Sequence, residues 1–139
     1  MNTLESQHRL IHRPAKDLYD FIADFHRFEK FLPEQITDWN TTSDACSFNL
    51  PSLGKIALQM EKDETAQWVK YVSTSGPAAF ELLFELKPET ETSCQLTLTA
   101  LADIPAFMLM MVAKPIKTFV TVLMDKIKEL AEVAGGERG

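Results

Sequence analysis

"AFELLFELKPE", residues 79–89, decides the fold class. Phe80, Leu82, Phe84 and Leu86 alternate with Glu81, Leu83, Glu85 and Lys87, so an extended chain carries one apolar face and one mostly polar face. A helix would scatter the same side chains around its circumference. Period two extends in both directions, through QITDWNTT (35–42), ACSFNL (45–50), GKIALQMEKD (54–63), QWVKYVSTS (67–75) and SCQLTLTAL (93–101). Ile56, Leu58 and Met60 share a face, as do Leu96, Leu98 and Ala100. Turn signals stand between the segments: Ser43-Asp44, Pro51-Ser52-Leu53-Gly54, Asp63-Glu64, Gly76-Pro77 and Glu89-Thr90-Glu91. Consecutive strands with one greasy face and tight turns describe an antiparallel meander covered on one side.

Upstream, "LESQHRLIHRP" (4–14) forms an extended opening strand that Pro14 ends. Leu4, Ser6, His8 and Leu10 fall on one face, which would turn His8 inward, and Glu5, Gln7, Arg9 and Ile11 fall on the other. In "PAKDLYDFIADFHRFEKFLPE" (14–34), Leu18, Phe21, Ile22, Phe25, Phe28 and Leu32 recur at steps of three and four. That spacing makes an apolar helical face. A break near Ala23, with Asp24 as a cap, allows two short helices or one bent helix. Downstream, 104–134 returns to helical spacing, with Val112, Ile116, Phe119, Val120, Leu123, Ile127, Leu130, Ala131 and Ala134 as its stripe. Lys117, Asp125, Lys128, Glu129 and Glu132 face away, and Gly135-Gly136 supply a stop. The expected organisation is a single domain over 1–134 and a disordered tail over 135–139.

A 139-residue chain is long enough to bury a substantial core or enclose a pocket. Lys and Arg number 14 against 20 Asp and Glu, a net charge of -6. General electrostatic attraction to nucleic acid or anionic lipid is therefore not expected, and no dense Lys/Arg run marks a basic patch. Cys46 and Cys94 sit in strands outside any CxxC pattern and read as small buried thiols. The opening MNTLESQH lacks a basic stretch followed by an apolar run, so no secretory signal is expected and the expected location is the cytoplasm. The apolar run that starts at Phe107 breaks at Lys114 and Pro115, short of the ~20 residues of a membrane span.

Chemistry is sparsely signalled. No HxH, HExxH or Cys/His cluster suggests a metal, no GxSxG elbow a nucleophile, and no glycine loop a phosphate, so neither metal nor cofactor is expected. His8 is the one weak catalytic candidate; His12 and His26 lie beside arginines at element ends, where solvent is the default. The acidic residues fall on turns or outward strand positions, Glu81 and Glu85 among them. Tyr19, Tyr71, Trp39 and Trp68 each join an apolar body to a hydrogen-bonding tip.

The economical packing lays the last helix across the apolar face of the sheet. The fold class expected is α+β helix-grip: a curved seven-stranded antiparallel sheet around a long C-terminal helix, with two short helices after the first strand. "HRPAKDLYDFIADFHRFEKFLPEQITDW" (12–39) and "MVAKPIKTFVTVLMDKIKEL" (111–130) resemble the START-like, or SRPBCC, superfamily. Its members include birch-pollen allergens, lipid-transfer START domains, polyketide cyclases and coenzyme-Q-binding proteins. The glycine-rich loop of the plant allergens is missing, with only "PSLGK" (51–55) between the third and fourth strands.

The resemblance implies a cavity between sheet and long helix, with Trp39 near it and the start of that helix at its mouth. "PAFMLMMVAKPIKTF" (105–119) would then be a deformable, methionine-lined gate, or else core filling or a dimer interface. The expected function is binding or carriage of a small hydrophobic molecule (lipid, isoprenoid, aromatic or polyketide-like) by a monomer or weak homodimer without a membrane span. Candidate lining residues are Phe21, Phe25, Phe28, Trp39, Phe48, Leu58, Phe80, Leu82, Phe84, Leu98, Met108, Met111 and Phe119. The alternatives are a cyclase- or dehydratase-like enzyme using His8, or an interaction module built on the Met-rich turns.

Overall fold

Each alternating segment becomes a strand. In chain order the elements are β1 (Asn2–Ile11), α1 (Ala15–Ile22), α2 (Phe25–Phe28), a 3-10 turn (Glu29–Phe31), β2 (Thr37–Thr41), β3 (Ala45–Leu50), β4 (Gly54–Lys62), β5 (Trp68–Ser75), β6 (Ala79–Thr90), β7 (Ser93–Asp103) and α3 (Ala106–Glu137). The computed structural model describes residues 1–34, 36–50, 54–76 and 79–137, with side chains described as far as 133. The turn signals at 51–53 and 77, and the last two residues of the tail, lie outside the described residues. The seven strands form one antiparallel sheet in the order β1-β7-β6-β5-β4-β3-β2, a meander with the first strand returning to pair with the last. Curved around α3, it is the α+β helix-grip layout expected from the sequence.

Two short helices follow β1, not one bent one. Ala23 ends α1 by donating its N–H to the Tyr19 carbonyl at 2.8 Å. Asp24, in extended geometry, accepts from the His26 N–H at 2.9 Å and so caps α2. Phe25, Phe28 and Phe31 then point into the concave side of the sheet and are buried. Phe25 and Phe28 meet Tyr71 of β5 at centroid distances of 4.6 and 5.2 Å, Tyr71 meets Phe84 of β6 at 4.9 Å, and Phe31 packs on Phe28 at 5.8 Å. The Tyr71 hydroxyl donates to the Ile22 carbonyl at 2.6 Å and ties the end of α1 to β5. Tilted and edge-on contacts of this kind add to area burial, so α1 and α2 plug one end of the sheet.

β1 contains the main departure from simple alternation. Its pairing with β7 slips between Thr3 and Glu5, leaving Leu4 as an extra residue. After that bulge Glu5, Gln7, Arg9 and Ile11 face α3, while Ser6, His8 and Leu10 are exposed. His8 therefore points outward, opposite to its expected direction. The inward polar side chains are satisfied by α3: Gln7 Nε2 donates to Thr121 Oγ1 at 2.7 Å, and Arg9 pairs with Asp125 at 3.1 Å. Lys128 Nζ donates to the Leu10 carbonyl at 2.6 Å and to Glu132 at 2.8 Å, and the His12 N–H donates to Glu132 at 2.9 Å. Asp125, Lys128 and Glu132, read as facing away from the fold, thus form a polar seam with β1. At its end Arg13, only 4% exposed, donates to the Ala131 carbonyl at 3.1 Å and lies over the Phe21 ring.

α3 is continuous through Pro115, although that residue cannot donate to the Met111 carbonyl one turn back. It also passes Gly135 and Gly136 before ending at Glu137; a helical glycine costs roughly 1 kcal/mol and does not forbid the helix. By length and composition Ala106–Val133 is apolar enough to cross a bilayer, so Lys114 and Pro115 do not cut it short as expected. Its second half is instead the core helix: Ile116, Phe119, Val120, Leu123, Met124, Ile127 and Ala131 are buried. Its first half is not packed in this way.

Candidate ligand-binding site

The inward residues of β7 run Leu96, Leu98, Ala100, Ala102. Two large side chains fill the plugged half of the sheet, and two small ones leave room in the other half. Over its length α3 has its close backbone neighbours on β1, β7 and the 3-10 turn and stands off from the remaining strands. The result is a cavity of about 390 Å3, at the lower end of small-molecule sites.

Phe48 and Leu50 of β3, Ile56 of β4, and Phe80 and Leu82 of β6 form its floor. Ala100, Ala102 and Ile104 close one side, with Leu4 reaching in from the β1 bulge. The roof is one flank of α3: Met108, Met111, Val112, Pro115, Ile116 and Phe119. Among the described residues every lining side chain is apolar. A buried hydrogen-bonding group on a ligand would find no side-chain partner among them and would lose about 1–3 kcal/mol.

Of the candidate lining residues, Phe48, Phe80, Leu82, Met108, Met111 and Phe119 do line the cavity. Phe25, Phe28 and Phe84 belong to the aromatic plug, and Leu58 and Leu98 to the surrounding core. Phe21 lies outside, half-buried, its ring contacted by Arg13, Arg27 and Lys30 with centroid distances of 5.3, 5.2 and 3.9 Å. Trp39 packs between Phe25 and Phe48, at 6.1 and 5.9 Å, and its indole N–H has no acceptor among the described residues. His8 is nowhere near the lining; it stands opposite Thr97 on the outer face. The residues missed by the sequence reading, Leu4, Leu50, Ile56, Ala100, Ala102, Ile104, Val112, Pro115 and Ile116, share one available signal. It is the step from leucine to alanine along β7.

The mouth lies at the first turns of α3. Met108 is half-buried, whereas Phe107, Met110 and Met111 are 68, 85 and 72% exposed. Met111 does both jobs, lining the cavity and meeting solvent. Elsewhere the polar tips are structural: Tyr19 donates to the Asp63 carbonyl at 2.9 Å, and Cys46 and Cys94 are buried free thiols. Among the described residues no group of three or more His, Cys, Asp or Glu is placed to hold a metal.

No family model matches the chain, and no curated protein matches it significantly. Solved structures do. The protein XoxI from Bacillus cereus superposes with a TM-score of 0.74 at 12% identity, over 94% of this chain and 95% of that one. Norcoclaurine synthase from Thalictrum flavum, a point mutant in complex with a transition state analogue, gives 0.72 at 12% identity, over 94% and 96%. A START superfamily protein from Mycobacterium smegmatis gives 0.66 at 12% identity, over 93% and 99%. At such identities the likeness is one of fold, and it extends over nearly the whole of each chain. The chain has the START-like, helix-grip fold.

Proposed function

We propose that the protein binds and carries one small hydrophobic molecule in the cavity beneath the first half of α3. The observation that carries this reading is the lining itself, about 390 Å3 bounded, among the described residues, by apolar side chains. Affinity would come from burying apolar ligand surface at ~25 cal/mol per Å2. With no hydrogen-bonding side chain among the described lining residues, the ligand keeps any polar end at the mouth. This favours acyl, isoprenoid or plain aromatic compounds over polyhydroxylated ones. Norcoclaurine synthase, solved with a transition state analogue, shares the fold, but here no ionisable side chain among the described residues lines the cavity. The cyclase alternative thereby loses its candidate, since His8 is on the far face of β1, and carriage is the better supported reading.

The test is a fluorescence titration with N-phenyl-1-naphthylamine, an apolar probe with one weak polar group. Saturable uptake of one probe per chain is expected. Ala100→Trp, which fills the cavity from β7, should weaken uptake at least tenfold while the thermal transition persists, with Ala102→Phe as a second, smaller filling. Uptake unaffected by both variants would place the probe elsewhere and defeat the reading.

A further inference from the structure

We infer that the first turns of α3 form a docking surface for an anionic lipid bilayer, set so that the cavity mouth opens toward the acyl chains. Phe107, Met110, Met111, Lys114 and Lys117 follow steps of three and four, so they fall along one side of the helix. All five are exposed. The stripe therefore runs from three large apolar side chains at the tip to two lysines. Lys114 and Lys117 lie about 6 and 10 Å further along the axis than Met110. A helix entering obliquely would bury the tip at the headgroup–acyl boundary while both ammonium groups stay at phosphate depth.

Charge selects the occupant. The chain carries -6 overall, yet residues 104–124 contain no Asp or Glu at all. Neither Lys114 nor Lys117 has an ion-pair partner among the described residues. Lys55, exposed beside the cavity residue Ile56, adds a third cation at the same end of the sheet; Asp103, at the end of β7, is the carboxylate nearest in sequence. A second copy pairing through the same stripe would bring four lysines together with no carboxylate from either 104–124 segment. An anionic lipid surface meets both halves of the stripe: acyl chains for Phe107, Met110 and Met111, phosphates for the lysines. Each lysine near such a surface strengthens binding about fivefold.

Geometry joins this surface to the cavity. Met111 lies on both, and Met108, Val112 and Pro115 line the cavity from the same turns. Docking those turns therefore places the mouth against hydrocarbon, the one setting where an apolar cargo can leave without crossing water. That exchange step rests on the carriage reading; the docking itself does not.

The experiment is co-sedimentation of the full chain with phosphatidylcholine vesicles made with and without phosphatidylserine. Binding is expected only to the anionic vesicles, and to weaken as salt is raised. The double variant Phe107→Ser/Met110→Ser should bind at least tenfold more weakly, and Lys114→Glu/Lys117→Glu likewise. Both should keep the wild-type circular dichroism and melting temperature, because these side chains support no core. The cavity-filled Ala100→Trp variant should still sediment, so loss of cargo uptake and loss of docking are read separately. No sedimentation of the wild type, or sedimentation unchanged in both double variants, overturns the inference. So does concentration-dependent dimerisation abolished by the same variants without vesicle binding, which would assign the stripe to a second copy.

Discussion

Several residues with apparent chemical promise act as structural fixtures, and the reason is burial. Burial pushes the Cys46 thiol up to about 12, against a smaller downward pull from a backbone hydrogen bond at Leu58. It pushes the Cys94 thiol up to about 11. Neither forms appreciable thiolate at neutral pH, and the thiolate is the reactive form. Both should therefore resist iodoacetamide at pH about 8 in the native protein and react only when denaturant opens the sheet. Mass spectrometry of alkylated samples reads this directly; rapid native labelling at Cys46 would show that β3 opens locally. The Tyr71 phenol is likewise held protonated, raised first by burial and then by Cys46 and Asp24, and so it remains a donor to Ile22. His8 shows the limit of alternation as a guide to direction. A one-residue bulge at Leu4 reversed the phase of β1, and such a bulge leaves no mark in a short polar strand.

α3 is two helices in energetic terms. Its second half buries Leu123, Met124 and Ile127 completely, while its first half leaves Phe107, Met110 and Met111 in solvent. Leu123→Ala should lower unfolding stability by about 3 kcal/mol, from lost transfer energy and the void left behind. Met110→Ser should change it by less than about 0.5 kcal/mol. Urea denaturation of the two variants tests the contrast, and equal losses would mean that the first turns pack against something not recognised here as core. The stripe of the second half was readable from spacing, apart from Met124, which is fully buried but lies beside the expected positions. The polar residues of α3 were not readable. Asp125, Lys128 and Glu132 look like a solvated face by pattern, and only their partners on β1 reveal the seam.

At the scale of the whole molecule, the meander and the grip of sheet on helix were legible because period two and period 3.6 change over cleanly near residues 36 and 104. Periodicity assigns a side chain to a face and does not say which end of that face it occupies. Phe25, Phe28, Phe84 and Leu98 were rightly placed inside, yet they serve the plugged end, while the cavity occupies the end where β7 turns to alanine. A fold that closes one end with aromatic rings and leaves the other under a methionine-edged helix has its cavity beside the exposed side chains of Phe107, Met110 and Met111.

The measurement that bears most directly on this account is where an apolar guest sits. In nuclear magnetic resonance spectra of the methyl-labelled protein with N-phenyl-1-naphthylamine, intermolecular contacts should appear at Ile56, Leu82, Met108, Met111 and Ile116, all cavity residues. Contacts confined to the exposed Met110 methyl, with Ile56 and Ile116 silent, would contradict the claim that the cavity is the binding site.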